Sequence, residues 1–112
     1  MDYIQFEDFK KIDIRIGTII EVNDFPEAIN PAYQLKVDLG KKIGIKNSSA
    51  QITDLYTKNN LLNKQVIVVV NFPPKQIGPF ISECLIVGFY SEGTSVVLAV
   101  PDRKINNGLR LV

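Results

Sequence analysis

The segment Val66–Glu83, VIVVVNFPPKQIGPFISE, decides the fold because it joins two buried strands through a stiff loop. Its first part is an apolar, β-branched run, which predicts a strand over residues 65–70. Three prolines and a glycine then punctuate residues 71–80, and a second apolar run follows at Leu85-Ile86-Val87. A proline-rich loop anchored on both sides holds its polar side chains still, so we expect functional residues in this segment.

Three further strands are predicted before this segment. Residues 13–22 are predicted to form the first, with a bend or bulge at Gly17, and the residues assigned to its inner face are Ile14, Ile16, Ile20 and Val22. Residues 33–39 alternate between apolar and polar and predict the second strand, which ends in a hairpin-like turn at 40–42. Residues 43–47 are then predicted to form a short third strand.

A short helix is predicted after the third strand. The string Ser48-Ser49-Ala50-Gln51 fits a capping box, and apolar residues follow at helical spacing from Ile52 to Tyr56. A fifth strand is predicted over 81–89, and a sixth, short strand over 95–100 precedes the tail. Three strands, a helix, two more strands and an appendage is the order of an all-β, five-stranded Greek-key OB-fold barrel, although other small barrels share it. We interpret residues 1–112 as one such domain with apolar terminal extensions.

Composition narrows the possible functions. The chain has 112 residues and no histidine, and Cys84 is its only cysteine, so a Ser-His or Cys-His nucleophile pair is impossible. We therefore expect no enzyme, no metal site and no cofactor. The net charge of +1 means that a polyanion could bind only where the fold gathers cations on one face. The start lacks a signal-peptide pattern and no apolar run reaches about 20 residues, which predicts a cytoplasmic protein without membrane insertion.

The sequence resembles the tRNA-binding domain family, and most closely its CsaA type, described as a secretion-related chaperone. The resemblance covers nearly the whole chain, and the strings that carry it include Phe6-Glu7-Asp8-Phe9, Asp13–Ile19, Phe25–Ala28, Pro31-Ala32-Tyr33, Gly44-Ile45-Lys46, Ser48–Thr53, Asn71–Glu83 and Pro101-Asp102-Arg103. It implies an OB-fold barrel, a homodimer, no catalysis, and binding of tRNA or of unfolded polypeptide.

Candidate RNA-binding residues come from the strands and from the loop. Arg15, Lys36 and Lys46 are predicted on the outer faces of three adjacent strands, where they form either a phosphate-contacting stripe or ordinary solvated faces. The loop contributes Lys75 and Gln76 by their position, and the resemblance adds Asn71 and Ser82. Phe72 and Phe80 flank the loop and could stack on bases or receive apolar peptide side chains.

Both chain ends are apolar, which predicts that they are covered. Packing on the monomer's own barrel is one possibility, and exchange across a two-fold interface is the other, with the candidates Tyr3, Ile4, Phe6, Leu109 and Leu111. Two functions remain open: binding of tRNA or another folded RNA, and an export-related chaperone that holds unfolded or pre-export polypeptides. An enzyme ranks last because no residue set supplies a nucleophile with a base.

Overall fold

The computed structural model describes residues 1–112 and contains nine strands and three short helices. The strands are β1 (Ile14–Asp24), β2 (Tyr33–Asp38), β3 (Ile45–Ala50), β4 (Gln65–Val69), β5 (Lys75–Ile77), β6 (Phe80–Ser82), β7 (Leu85–Ile86), β8 (Gly88–Tyr90) and β9 (Val96–Leu98). The helices are α1 (Phe6–Lys10), α2 (Gly40–Ile43) and α3 (Lys58–Leu61). None of the helices is long and apolar enough to cross a bilayer.

Five strands form one antiparallel sheet in the order β3-β2-β1-β4-β7. The sheet curls until β3 meets the segment after β6: the N–H of Glu83 donates to the Asn47 carbonyl at 2.8 Å, and the buried Ser48 hydroxyl donates to the Cys84 carbonyl at 2.9 Å. These two hydrogen bonds link the edge strand β3 to residues 83 and 84 and so nearly close the barrel. The predicted all-β, OB-like barrel is confirmed.

The core lies inside this barrel and follows the predicted alternation of β2. Leu35, Val37 and Leu39 are fully buried, together with Ile19 of β1 and Leu61 of α3. Period-two alternation in β2 therefore identified the inner face correctly. Its outward residues are left for solvent or for a ligand.

The predicted inner face of β1 is wrong before the bulge and correct after it. Gly17 pairs with Val66 and Ile19 pairs with Val37, so Gly17 and Ile19 face the core, whereas Ile14 and Ile16 lie on the opposite face and Ile20 is 38% exposed. A shift in the β1–β2 register between Ile19 and Glu21, a bulge that lies three residues after the predicted position at Gly17, then turns Val22 toward the core as predicted. Gly17 itself is needed for close packing, because an added Cβ would lie 2.5 Å from Val37 Cγ1.

The C-terminal tail completes β1. Strand β2 pairs with β1 only from Thr18 onward, so the first part of β1 has a free edge on that side. The tail fills this edge: the Ile16 N–H donates to the Leu109 carbonyl at 3.0 Å, and the Leu111 N–H donates to the Ile14 carbonyl at 2.8 Å. The tail is thus an integral part of the barrel wall.

The predicted capping box at Ser48 is wrong. Residues 48–50 lie in β3, where the Ser48 hydroxyl is used in barrel closure. The helix begins later, after Thr57, whose hydroxyl accepts the N–H of Asn60 at 3.2 Å. Ser48 and Thr57 both offer a hydroxyl followed by a polar residue three positions later, so the local sequence does not show which of them caps a helix. Only the pairing of Ser48 within the barrel decides it.

Two other predicted elements are divided. The proline-rich loop contains β5, which pairs with β6 around Gly78, and the predicted strand over 81–89 is three short strands. The turn at 40–42 is a single helical turn, α2, that also takes in Ile43. Each division occurs where the chain must turn out of the barrel sheet.

Candidate nucleic-acid interface

Polar side chains cover the outer face of β1, β2 and β3 in two cross-strand rows. Directly paired residues project from the same face of a sheet, so the register defines the rows. The first row is Glu21, Lys36 and Asn47, and the second is Asn23, Gln34 and Ser49. We call these six residues the polar grid.

The polar grid is internally ordered. Lys36 Nζ donates to Asn47 Oδ1 at 3.3 Å, and Asn23 Nδ2 donates to Glu21 Oε2 at 2.9 Å. Lys36 has no carboxylate oxygen within 4 Å, so its charge is not neutralised by an ion pair. A shallow cavity of about 250 Å³ lies over the grid.

Phe80 forms one wall of this cavity. Its ring packs on Phe25 at 5.4 Å between centroids and an angle of 60°. Phe25 is buried, which anchors the loop after β1 against the β5–β6 hairpin. Phe80 is therefore half-buried and held in place, whereas Phe72 is exposed at the base of the hairpin.

The β5–β6 hairpin lies beside the grid. Its register pairs Lys75 with Ser82, and the Ser82 hydroxyl accepts the N–H of Ser49, a grid residue, at 3.2 Å. Lys75 is exposed and lacks an acidic partner, and Gln76 Nε2 donates to the Gly78 carbonyl at 3.2 Å. Lys75, Phe80 and Ser82 thus project from the hairpin face that lies beside Lys36 and the grid. Gln76 pairs with Ile81 and projects from the opposite face of the hairpin, so it does not join this group.

Lys46 does not belong to this side. It is paired with Val37, a core residue, and so projects from the opposite face of the β2–β3 pair to Lys36. Its Nζ lies 3.9 Å from Glu83 Oε2 at the end of the barrel. The predicted stripe of three cations on adjacent outer faces is therefore wrong.

Arg15 is also directed elsewhere. Its Nε and Nη2 donate to the two carboxylate oxygens of Asp13 at 2.6 and 3.2 Å, and its Nη1 donates to the Gly108 carbonyl at 3.0 Å. The hydrogen bond from Arg15 lowers the pKa of Asp13 and outweighs the effect of burial, while the same bond raises the pKa of Arg15. Arg15 thereby stabilises the junction of β1 with the C-terminal tail.

Asn71 has both amide atoms engaged with backbone. Its Oδ1 accepts the N–H of Asp13 at 2.9 Å, and its Nδ2 donates to the Lys11 carbonyl at 2.7 Å. These bonds fix the start of the proline-rich segment to the start of β1. Asn71 is placed to position the loop and lies apart from the polar grid.

Five residues of the polar grid were not predicted as site residues: Glu21, Asn23, Gln34, Asn47 and Ser49. The alternation of β2 already placed Gln34 outward beside Lys36, so that signal was present in the sequence. The other four depend on the bulge in β1 and on the β2–β3 register, which no local pattern reveals.

The grid has the chemistry of a nucleic-acid surface. A lysine without an acidic partner can contact phosphate, amide side chains can exchange hydrogen bonds with base edges, and an aromatic ring can contact a base face. No group of three or more His, Cys, Asp or Glu side chains is arranged to hold a metal ion.

Comparison with known proteins defines the class. The sequence model of the family described as "Putative tRNA binding domain" matches residues 14–110, and the chain belongs to this family. The chain is 39% identical over 111 residues to a methionine–tRNA ligase of Pyrococcus horikoshii and 37% identical over 111 residues to that of Pyrococcus furiosus. The match covers 99% of this chain but only 15% of either ligase, so the chain spans a small part of these curated relatives.

Two solved structures match the chain along its whole length. One is described as the CsaA chaperone protein from Picrophilus torridus: it is 55% identical with a TM-score of 0.92, and the match covers 98% of this chain and 100% of that one. The other is described as the chaperone CsaA from Bacillus anthracis str. Ames: it is 42% identical with a TM-score of 0.93, and the match covers 99% and 100%. The resemblance to the CsaA type predicted from the sequence is confirmed.

Proposed function

We propose that the chain is a non-catalytic tRNA-binding module and that the polar grid, with the β5–β6 hairpin beside it, is its binding surface. One observation carries the proposal: the outer face of β1–β3 gathers Lys36, three amide side chains, Glu21 and Phe80 around one shallow cavity. Membership of the tRNA-binding domain family supports the choice of ligand.

Each residue has a role that follows from its chemistry. Lys36 and Lys75, both exposed and without an acidic partner, would contact backbone phosphates. Gln34 and Asn47 would read base edges, since an amide offers a donor and an acceptor together. The exposed ring of Phe72 would stack on an unpaired base at the rim.

The test is tRNA binding by a charge-neutralised variant. We expect Lys36→Gln/Lys75→Gln to bind labelled tRNA about tenfold more weakly at low salt in a fluorescence anisotropy titration, because two phosphate contacts are lost. The matched control is Lys11→Gln/Lys58→Gln, which removes two lysines that are paired with Asp8 and Asp24. Equal losses in the two variants would contradict the proposed site.

We also propose that the chain forms a homodimer through its ends. A cavity of about 320 Å³ lies between α1 and the tail, and its lining is apolar apart from Lys10 and Arg110: Phe6, Phe9, Ile12, Leu111 and Val112. Tyr3, Ile4 and Leu109 add exposed apolar surface beside it. A patch of this kind favours a second copy of the chain, since a two-fold axis brings the same patch together twice.

Sedimentation velocity tests the dimer. Phe6→Asp should shift the chain from dimer to monomer at micromolar concentration, whereas Phe89→Asp, at an exposed ring on β8, should not. A monomeric unmodified chain would contradict the dimer.

A chaperone activity is the second candidate. The exposed apolar side chains at the ends could hold extended polypeptide, and two similar structures carry the description of chaperone. This activity would be seen as suppressed aggregation of a heat-unfolded protein, and it should persist in Lys36→Gln/Lys75→Gln because apolar capture does not need those charges. Loss of that suppression in the same variant would instead tie it to the polar grid. We expect both activities to operate in the cytoplasm.

A further inference from the structure

A second concave site lies on the barrel away from the polar grid. It measures about 520 Å³ and lies where Thr18 of β1 pairs with Gln65 of β4, between the α3–β4 turn and the segment after β9. Its cationic lining residues are Lys64, Arg103 and Lys104. We call this site the basic cleft.

The basic cleft concentrates positive charge in a chain that is nearly neutral. Its lining contains three cations and no acidic residue, while the whole chain has a net charge of +1. Only Arg103 has an acidic partner, its sequence neighbour Asp102 at 3.1 Å, and both of those side chains are 81% exposed. Lys64 and Lys104 have no carboxylate oxygen within 4 Å, so their charges are available to an anion.

The floor of the cleft is held by hydrogen bonds. The Gln65 side chain makes two hydrogen bonds to the backbone of Ile105: Nε2 donates to its carbonyl at 2.6 Å, and Oε1 accepts its N–H at 3.1 Å. Thr18 Oγ1 and Gln65 Nε2 both donate to Asn107 Oδ1, at 2.8 and 3.0 Å. These contacts fix the backbone that follows Arg103 and Lys104.

The other wall is equally constrained. Asn63 has a φ of 68°, in the left-handed region, and its N–H donates to the Ile19 carbonyl at 2.7 Å. The Ile19 N–H donates in turn to the Lys64 carbonyl at 3.0 Å. Because the backbone of Lys64 is bonded to β1 and the residue after Lys104 is bonded to Gln65 of β4, binding would order little backbone in the cleft.

The position of the cleft indicates the kind of anion. Thr18 in the cleft and Glu21 in the polar grid are three residues apart on the same strand, so the two sites are separated by about 10 Å along β1. The cleft is too open and too large for a single small anion to fill. A polyanion on the barrel surface could contact both sites at once.

We propose that the basic cleft is a second phosphate-binding site, which contacts the sugar-phosphate backbone of the same tRNA molecule that lies on the polar grid. The inference rests on the proposed function, because it takes tRNA as the ligand. Lys64 and Lys104 would contact phosphates by charge, and Arg103 would contact one in bidentate fashion on leaving Asp102. The cleft would supply affinity and orientation, while base reading stays with the grid.

The test compares two ligands and two charge-matched variants. Lys64→Gln/Lys104→Gln should bind tRNA about fivefold more weakly than the unmodified chain, and the slope of log K against log salt should fall by about one to two. A dinucleoside monophosphate, whose single phosphate cannot contact both sites at once, should bind this variant and the unmodified chain equally. Lys11→Gln/Lys58→Gln is again the control. Thermal melts establish that each variant is folded. If the double variant is unfolded, the single variant Lys104→Gln replaces it.

The outcomes separate the two proposals. Weakened binding in Lys36→Gln/Lys75→Gln with unchanged tRNA affinity and salt slope in Lys64→Gln/Lys104→Gln overturns the basic cleft and leaves the proposed function intact. Weakened binding in the cleft variant alone supports the cleft and overturns the polar grid as the main site. Absence of any tRNA binding at low salt overturns both.

Discussion

The side-chain oxygen of Asn71 accepts the backbone N–H of Asp13 at 2.9 Å, across 58 positions of the sequence. The same side chain donates to the Lys11 carbonyl at 2.7 Å, so one amide joins the end of β4 to the beginning of β1. The proline-rich segment leaves the barrel from this junction. Asn71 therefore helps to orient the β5–β6 hairpin toward the polar grid, although Asn71 itself does not lie in the grid.

Replacing Asn71 should destabilise this junction. We expect Asn71→Ala to lower the free energy of unfolding by about 1–2 kcal/mol, because it removes two hydrogen bonds to backbone groups. Urea denaturation measures the change, with an unaltered m value indicating an unchanged native fold. Asn106→Ala is the control, since the Asn106 side chain is exposed and makes no hydrogen bond; an equal effect in both variants would contradict the role given to Asn71.

The ion pair of Asp13 with Arg15 should give the chain a distinct acid response. The folded pKa of Asp13 is lowered from its usual value of 3.8, chiefly by the hydrogen bond from Arg15. The unfolded chain therefore takes up this proton first as pH falls. The stabilisation is complete above about pH 5 and is lost as pH drops through the folded pKa.

Asp13→Asn should consequently be less stable than the unmodified chain at pH 7, by about 1–3 kcal/mol, and should lose less further stability between pH 5 and pH 3. Urea denaturation at three pH values measures both effects. Asp102→Asn, which breaks an ion pair on the exposed surface, should change stability little. Parallel pH profiles for Asp13→Asn and the unmodified chain would refute this account of the ion pair.

Local patterns in the sequence predicted the barrel and part of its binding surface. The alternation of β2 gave its inner and outer faces correctly, including the outward position of Lys36. The prolines and glycine after β4 marked the segment that carries Lys75 and Ser82. These features are encoded by residues close together in the chain, where periodicity and turn chemistry act.

The errors all required information from distant residues. Ser48 fits the pattern of a helix cap, but its hydroxyl bonds to Cys84 at the closure of the barrel. Lys46 was predicted to share the outer face with Lys36, but the β2–β3 register places it on the opposite face. The bulge after Ile19 likewise reverses the face of β1 without any glycine at that position. Register and closure are tertiary properties, so the polar grid could be recognised only as a whole in three dimensions.

Gly17 should tolerate no side chain. An added Cβ would lie 2.5 Å from Val37 Cγ1 and 2.9 Å from Leu39 Cδ2, so Gly17→Ala should destabilise the chain by about 1–3 kcal/mol. The double variant Gly17→Ala/Val37→Ala should be more stable than the sum of the two single effects predicts, because the smaller residue removes the clash. If the changes in unfolding free energy of the two single variants, measured by urea denaturation, add up to that of the double variant, the two side chains do not compete for the same space.

Cys84 should be inert in the folded chain. Burial raises the pKa of its thiol to about 11, and its Sγ donates to the Asn47 carbonyl at 3.6 Å. A chromogenic disulfide reagent should therefore react with one thiol per chain in denaturant and far more slowly in native buffer at pH 8. Because the folded pKa is raised, stability should also fall as pH rises from about 9 toward 11, and Cys84→Ala should lose that part of the decline. Rapid native labelling would place the thiol at the surface.

The salt dependence of tRNA binding tests the central claim most directly. The account predicts that log K falls linearly with log salt, with a slope steeper than about −2, while capture of a reduced, permanently unfolded polypeptide holds or strengthens as salt rises. The slope for tRNA should become shallower in Lys36→Gln/Lys75→Gln by about one for each phosphate contact removed. A flat salt response for tRNA, or no measurable binding at low salt, would contradict a phosphate-binding surface on this barrel.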